Sequence, residues 1–294
     1  MKLNHKAVYE SVTQAIIEQL EAGTAPWVKP WSSAGWSAPM NWQTGRAYNG
    51  INALLLMLTG NAYGCGEFAT YKQIKAAGGN VRKGETGHHV VFWNTIEKEA
   101  ENGQSDDKKV IPFAKLYTVF NLAQCEGVEA KHVSPARNIN ADTRDADLDR
   151  LIAATGARFN EGQSAFYAPG PDGITLPRFE TFKSAGDFYA TTLHELVHWT
   201  AHKSRLARDL SGRFGDQAYA AEELIAELGA AFLCARLGLD GQLQHAEYLG
   251  GWLKLMKADK RAIFTAASAA SKAADYLSEL MGLNQESTQP AKAA

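Results

Sequence analysis

Apolar residues recur at helical spacing over residues 5–22, where Val8, Val12, Ile16 and Leu20 share one face and Gly23 follows as a stop signal. The pattern then breaks. Residues 26–39 interleave Trp27, Trp31 and Trp36 with Pro, Gly and Ser, which reads as an extended aromatic loop. Residues 51–58, apolar except for Asn52, start a second helix. Residues 70–77 read as a short helix with Thr70 as N-cap, ended by Gly78 and Gly79. Strand-like runs follow at 89–93 and 116–121, flanking a charged stretch at 97–109 that reads as a solvated hairpin loop. A helix at 146–155, a β-rich middle around the turn 169–173, and then long helices complete the pattern. This predicts an α+β chain: an N-terminal mixed α/β part, and a mostly helical C-terminal part with a small sheet.

The length of 294 residues fits about two domains. The expected layout is a domain over 1–127, a linker over 128–145, a domain over 146–284 and a polar tail over 285–294. No apolar run reaches the roughly 18 residues needed to span a bilayer, and the N-terminus carries no apolar signal core. The expectation is a cytoplasmic protein with no membrane partner. Cys65, Cys125 and Cys234 lie far apart and form no CxxC pair, which excludes a disulfide scaffold and a Cys-type zinc finger. Net charge is −2, which by itself disfavours a nucleic-acid binder. The two halves differ, however. Residues 1–127 carry 12 basic and 11 acidic residues, and omitting 97–109 leaves nine and six. Residues 128–294 carry 18 basic and 21 acidic residues. The average therefore conceals a mildly basic half joined to an acidic one.

The strongest chemical signal is His194-Glu195-Leu196-Val197-His198. On a helix, residues i and i+4 share a face, so both imidazoles can reach one Zn²⁺, with Glu195 between them as general base. A bound divalent ion activates water and polarises a carbonyl, so the implied chemistry is hydrolysis. Zn²⁺ suits these ligands best, and Mn²⁺ or another divalent ion is compatible with them. A catalytic site needs a third protein ligand. Residues 221–235 predict a helix on which Glu223 and Glu227 share a face. Glu223 is preferred as ligand, with Glu227 hydrogen-bonding a ligand histidine, an order that resembles the glutamate-zincins. The reverse assignment stays open. Glu222 points about 100° away and reads as a surface charge. His202 is a rival ligand, four residues after His198. Tyr189 and Tyr219 are candidate oxyanion donors.

In the N-terminal half, aromatic residues alternate with cations. Trp27, Lys29, Trp31, Trp42, Arg46, Tyr48, Asn52, Tyr71, Lys72, Arg82 and Lys83 form a candidate set for single-stranded DNA. Aromatic rings stack on unpaired bases while Lys and Arg neutralise phosphates. Trp36, Phe68, Lys75 and Trp93 belong to the same composition.

The runs YESVTQAIIEQLEAGTAPWVKPW, GRAYNGINALLL, TYKQIKAAGGNVRKGE and VVFW resemble the ArdC-type antirestriction proteins and the N-termini of TraC-type plasmid primases. The run HELVHWTAHKSRL, with YAAEELIAELGAAFL beyond it, resembles the zincin-like metallopeptidase domain that completes these proteins. The resemblance implies a plasmid-encoded protein that binds single-stranded DNA and helps conjugative DNA survive restriction. It implies a zinc-type site at His194, His198 and a downstream Glu. It leaves open whether the site cleaves a protein partner, such as a restriction component or a DNA-bound protein.

Overall fold

The computed structural model describes residues 5–22, 27, 38–98, 109–132, 140–209, 216–239 and 248–283. The N-terminal part holds helices α1 (His5–Glu21), α2 (Gly50–Tyr63) and α3 (Tyr71–Ala76) with strands β1 (Met40–Asn41), β2 (Glu67–Thr70), β3 (Asn80–Val81), β4 (His88–Lys98), β5 (Lys109–Asn121) and β6 (Cys125–Glu126). The C-terminal part holds α4 (Ala146–Ala154), β7 (Arg158–Glu161), β8 (Phe166–Ala168), β9 (Gly173–Leu176), α5 (Ala185–Thr200), α6 (Gln217–Leu237), α7 (Leu249–Ala258) and α8 (Ala262–Leu280).

Local chemistry sets these boundaries. Thr70 and Gln73 form a reciprocal capping box at the start of α3. Asp145 caps α4, Ser184 caps α5 and Asp216 caps α6, each side chain accepting from a backbone N–H of the first turn. Gly238, at φ 65°, ends α6 in the left-handed region.

The first sheet runs β1-β2-β5-β4, and the second pairs β3 with β6. Strands β4 and β5 are antiparallel from His88↔Val119 to Lys98↔Lys109. They are longer than the alternation predicts because their backbone pairing continues past Phe92↔Lys115 to the ends of the charged stretch expected to be loop; residues 99–108 of that stretch lie outside the described residues. The third sheet runs β7-β9-β8, with β8 antiparallel at one edge. The expected tail and part of the expected linker, 133–139, also lie outside the described residues. Among the described residues, no helix is long and apolar enough to cross a membrane.

The main core crosses between the two parts. Ile16, Ile17 and Leu20 of α1, Trp27, and Leu54 and Met57 of α2 join one apolar cluster with residues of α5 to α8. Thr13 donates to the Lys260 carbonyl at 2.6 Å, and the Gly50 N–H donates to Ser271 Oγ at 2.6 Å. The first two helices thus pack against the C-terminal helices as well as the N-terminal sheet.

Helix α6 is buried almost all round, and small residues let α5 approach it. A Cβ on Gly229 would stand 2.8 Å from Val197 Cγ2, inside normal contact. Gly229→Ala is therefore expected to wedge α5 from α6 and cost about 1–3 kcal/mol in urea unfolding. An unchanged midpoint would show that the contact tolerates a methyl group.

Candidate metal centre

The close approach of α5 and α6 brings together His194, His198 and Glu223. The two Nε2 atoms lie 3.1 Å apart. Glu223 reaches His194 Nε2 at 3.5 Å and His198 Nε2 at 3.6 Å, one carboxylate oxygen to each. One donor atom from each residue falls within 4.8 Å of the others. Two imidazole nitrogens and one carboxylate oxygen converging on one point fit a divalent ion, whose bonds to such donors run about 2.0–2.2 Å.

Each histidine is braced from behind. Glu227 lies 3.5 Å from His194 Nδ1, and Glu222 lies 3.1 Å from His198 Nδ1. A carboxylate at Nδ1 holds the proton there and presents the Nε2 lone pair. Glu222 thus departs from the surface role read from its angle on the helix: it is 7% exposed. Arg208, which sequence reasoning did not single out, grips both its oxygens, Nε to Oε2 at 3.0 Å and Nη2 to Oε1 at 2.8 Å. Arg208 also donates to the Val197 carbonyl and to Thr200 Oγ1. No motif marks this arginine, because its role depends on where the chain after α5 turns.

Electrostatics follow from burial and these partners. Burial alone would depress the His194 pKa, but hydrogen bonds to Glu223 and Glu227 outweigh it and raise the imidazole to about 10. His198 is also raised: burial opposes the proton, while Glu222 and Glu223 favour it. Burial would raise Glu223, yet the two histidines hold it well below the usual carboxylate range.

A cavity of about 450 Å³ opens onto the cluster, lined by His194, Glu195, His198, Tyr219, Glu223 and Phe166 among others. Tyr219 stands at its wall, its hydroxyl 3.2 Å from that of Tyr248. Burial, then Tyr248 and Glu223, push the phenol pKa up, so it keeps its proton. Tyr189 does not meet the oxyanion expectation. It is fully buried away from the cavity, donating to Asp149 at 2.9 Å and accepting from the Asp145 N–H at 2.8 Å. His202 is not a ligand here either. Helix α5 ends at Thr200, and His202 turns to Ser204 Oγ at 2.7 Å.

The edge strand β8 is clamped beside this cavity. Asp172 accepts from Arg205, with Nη1 at 3.0 Å, and from the Tyr167 hydroxyl at 2.9 Å. Arg205 stacks on Trp199 at 3.8 Å and donates to its carbonyl. These bonds to Arg205 hold the Asp172 carboxyl down at about 2.

The candidate DNA set divides. Trp27 and Trp42 are corrected to core residues, at 2% and 4% exposure. Trp27 packs on Trp252 with ring centroids 5.5 Å apart. The Trp42 indole donates to the Glu129 carbonyl, with Lys131 Nζ 4.1 Å over the ring. Their faces cannot stack on bases. Asn52 is also engaged, donating to the Val91 carbonyl and accepting from its N–H at 2.8 and 2.7 Å. Tyr48 is half-buried.

Tyr71 is 49% exposed, beside exposed Lys72 and with Lys75 Nζ 5.8 Å over its ring. Arg46 and Lys83 are exposed, and Arg82 pairs with Glu85 at 2.8 Å. Lys29, Trp31, Trp36 and the side chain of Trp93 lie outside the described residues. The structure adds an aromatic pair that composition did not isolate. Phe92 and Tyr117 are 50% and 38% exposed, with Lys115 Nζ 4.8 Å over the tyrosine ring. Neighbouring strands create this pair, so nothing local in the sequence announces it.

Comparisons with known proteins agree with this architecture. Residues 6–120 match the family model for the N-terminal domain of anti-restriction factor ArdC, and residues 146–269 match a zincin-like metallopeptidase model. The metal-free crystal structure of antirestriction protein ArdC from plasmid R388 superposes with a TM-score of 0.80 at 45% identity, covering 94% of this chain and 98% of that one. Its Mn(II)-bound structure gives 0.76 at 43% identity, covering 94% and 99%. Protein y4eC of Sinorhizobium fredii is 40% identical over 92% of this chain and 91% of its own length. DNA primase TraC of Escherichia coli is 39% identical over 97% of this chain, which spans only 28% of that protein.

Proposed function

The chain belongs to the ArdC antirestriction family, and on that premise we propose that it binds single-stranded DNA through its N-terminal part and carries a zinc-dependent hydrolytic centre, together protecting incoming conjugative DNA from restriction. The convergence of His194, His198 and Glu223 on one point, with Glu195 lining the same cavity, carries the hydrolytic part of this reading, and the match of residues 6–120 to the ArdC N-terminal domain supports the DNA-binding part.

Zinc, when bound, supplies Lewis-acid activation of water and of a scissile carbonyl. His194, His198 and Glu223 hold the ion; Mn²⁺, the ion in the R388 relative's structure, is compatible with the same donors. Glu195 takes the proton from the attacking water and passes it to the leaving amine. Tyr219 keeps its proton at neutral pH and donates a hydrogen bond to the developing oxyanion. The edge strand β8, at the lip of the cavity, offers backbone groups to an extended peptide.

This geometry also supports a second reading, in which proteolysis of a restriction component or another DNA-bound protein is the main activity and DNA binding directs it. Glu195→Gln separates the two. The variant is expected to retain metal and single-stranded DNA binding and to lose about 10²–10⁴-fold in peptide hydrolysis. Full protection by Glu195→Gln in every recipient would reject proteolysis as the mechanism. Titration of an oligonucleotide over salt tests the DNA reading. Affinity should fall with a logarithmic slope of about −0.7 per phosphate contacted.

A further inference from the structure

The helices of the N-terminal part cover its larger sheet unequally. On one face, Leu56 of α2 packs with Phe68, Val90 and Val119. Directly opposed residues of neighbouring strands share a face, and the same face returns two residues on. The registers His89↔Thr118, Val91↔Leu116 and Ala69↔Phe120 therefore put these six residues on the second face. At one end of it, Val8 of α1 packs on Val91, with Leu116 alongside. At the other, Ile74 of α3 clusters with Ala69, and Phe120 packs against them. Between the two helices His89 and Thr118 stay exposed, Nδ1 and Oγ1 3.4 Å apart. A side chain at Gly87 would collide with Thr118, so glycine keeps this band of the sheet clear.

The α3 border of the band carries a ring and cations. Tyr71 is 49% exposed, its ring edge to face with Phe120 at 6.4 Å, and Lys75 Nζ stands 5.8 Å from its centroid. Lys72 is exposed beside it, and Arg82 and Lys83 are exposed on the turn between β3 and β4. Residues 71–89 hold four basic residues and one acidic residue, Glu85, which Arg82 pairs. The rest of residues 1–127, omitting 97–109, balances at five and five. The whole positive excess of that half thus sits in this segment, on Lys72, Lys75 and Lys83.

We propose that single-stranded DNA crosses this band, stacking a base on Tyr71 and resting phosphates on Lys72, Lys75 and Lys83. The proposal rests on the DNA-binding reading above and adds where the strand lies. An exposed aromatic ring needs a base face that is free to stack, which a single strand offers and a duplex withholds. Uncompensated lysines beside it suit phosphates. Phe120 holds the Tyr71 ring in place from below, and His89 and Thr118 offer polar groups along the floor.

The test uses the full chain and follows the anisotropy of a labelled 20-nucleotide oligothymidylate and of an abasic strand of equal length. The abasic strand keeps the phosphates and lacks the rings. The unaltered chain is expected to bind the oligothymidylate about tenfold more tightly than the abasic strand. In Tyr71→Ala this ratio should fall toward one, and in Tyr71→Phe, which keeps the ring, it should persist. Lys72→Gln combined with Lys75→Gln should weaken both strands and flatten the logarithmic salt slope by about 1.4 in all. These side chains are exposed, so the variants should fold normally. Phe92→Ala, on the opposite face, should bind as the unaltered chain does. An undiminished ratio in Tyr71→Ala, an unchanged slope in the lysine pair, or a loss of binding in Phe92→Ala with none in Tyr71→Ala overturns this placement and leaves the DNA reading intact. Failure of the unaltered chain to bind either strand removes that reading and this inference together.

Discussion

His194→Ala is expected to reduce divalent-metal affinity by roughly 10³-fold, because a binding free energy of about 10–16 kcal/mol is divided among three protein donors. His198→Ala should behave likewise. Glu222→Gln and Glu227→Gln, which brace the histidines without converging on the ion, should each cost about 10–100-fold. Metal content after dialysis and titration calorimetry distinguish the two classes. A larger loss on replacing Glu227 than on replacing Glu223 would reverse the assignment of ligand and brace.

The same site implies a pH dependence with a definite sign. In the metal-free protein the His194 pKa is raised to about 10, against about 6.5 for an unfolded chain. The bound proton therefore stabilises the metal-free fold fully below about pH 6.5, and that contribution is lost as pH rises through about 10. Metal must displace this proton, so its apparent affinity should climb at least about tenfold per pH unit across the neutral range. Calorimetry in buffers of different ionisation enthalpy would count the released protons. An affinity flat from pH 6 to 8 would show that His194 is already neutral.

Trp27→Ala is expected to destabilise the protein by about 3–5 kcal/mol, since it removes a large side chain that is 2% exposed and packed on Trp252. Tyr71→Ala should do the reverse. With its ring 49% exposed, stability should change by less than about 0.5 kcal/mol, while single-stranded DNA binding weakens by about 1–3 kcal/mol. Urea unfolding and anisotropy on both variants decide the matter. A Trp27→Ala protein that unfolds normally but fails to bind DNA would return that tryptophan to the binding surface.

These contrasts mark how far the chain can be read residue by residue. His194 and His198 are legible because a helix imposes the i, i+4 relation locally, whatever surrounds it. Glu223 and Glu227 are legible for the same reason. The cap at Thr70 is equally local, since its side chain satisfies a backbone N–H within its own first turn, and the structure shows the same device at Asp145 and Ser184. Other roles depend on neighbours distant in sequence. Glu222 differs from Glu223 by one position, and only the placement of Arg208 and His198 turns it from a surface charge into a brace. Trp27 has the composition of a DNA ligand, yet its environment is set by Trp252, far along the chain. Phe92 and Tyr117 become a pair only through strand register. Local pattern suffices for the helix that carries the metal motif, the Thr70-capped start of α3 and the family. Packing decides which aromatics are core, which carboxylate braces which histidine, and that Arg208 holds Glu222. Helix geometry and capping act within a few residues, whereas burial and charge pairing depend on packing partners that the local pattern does not specify.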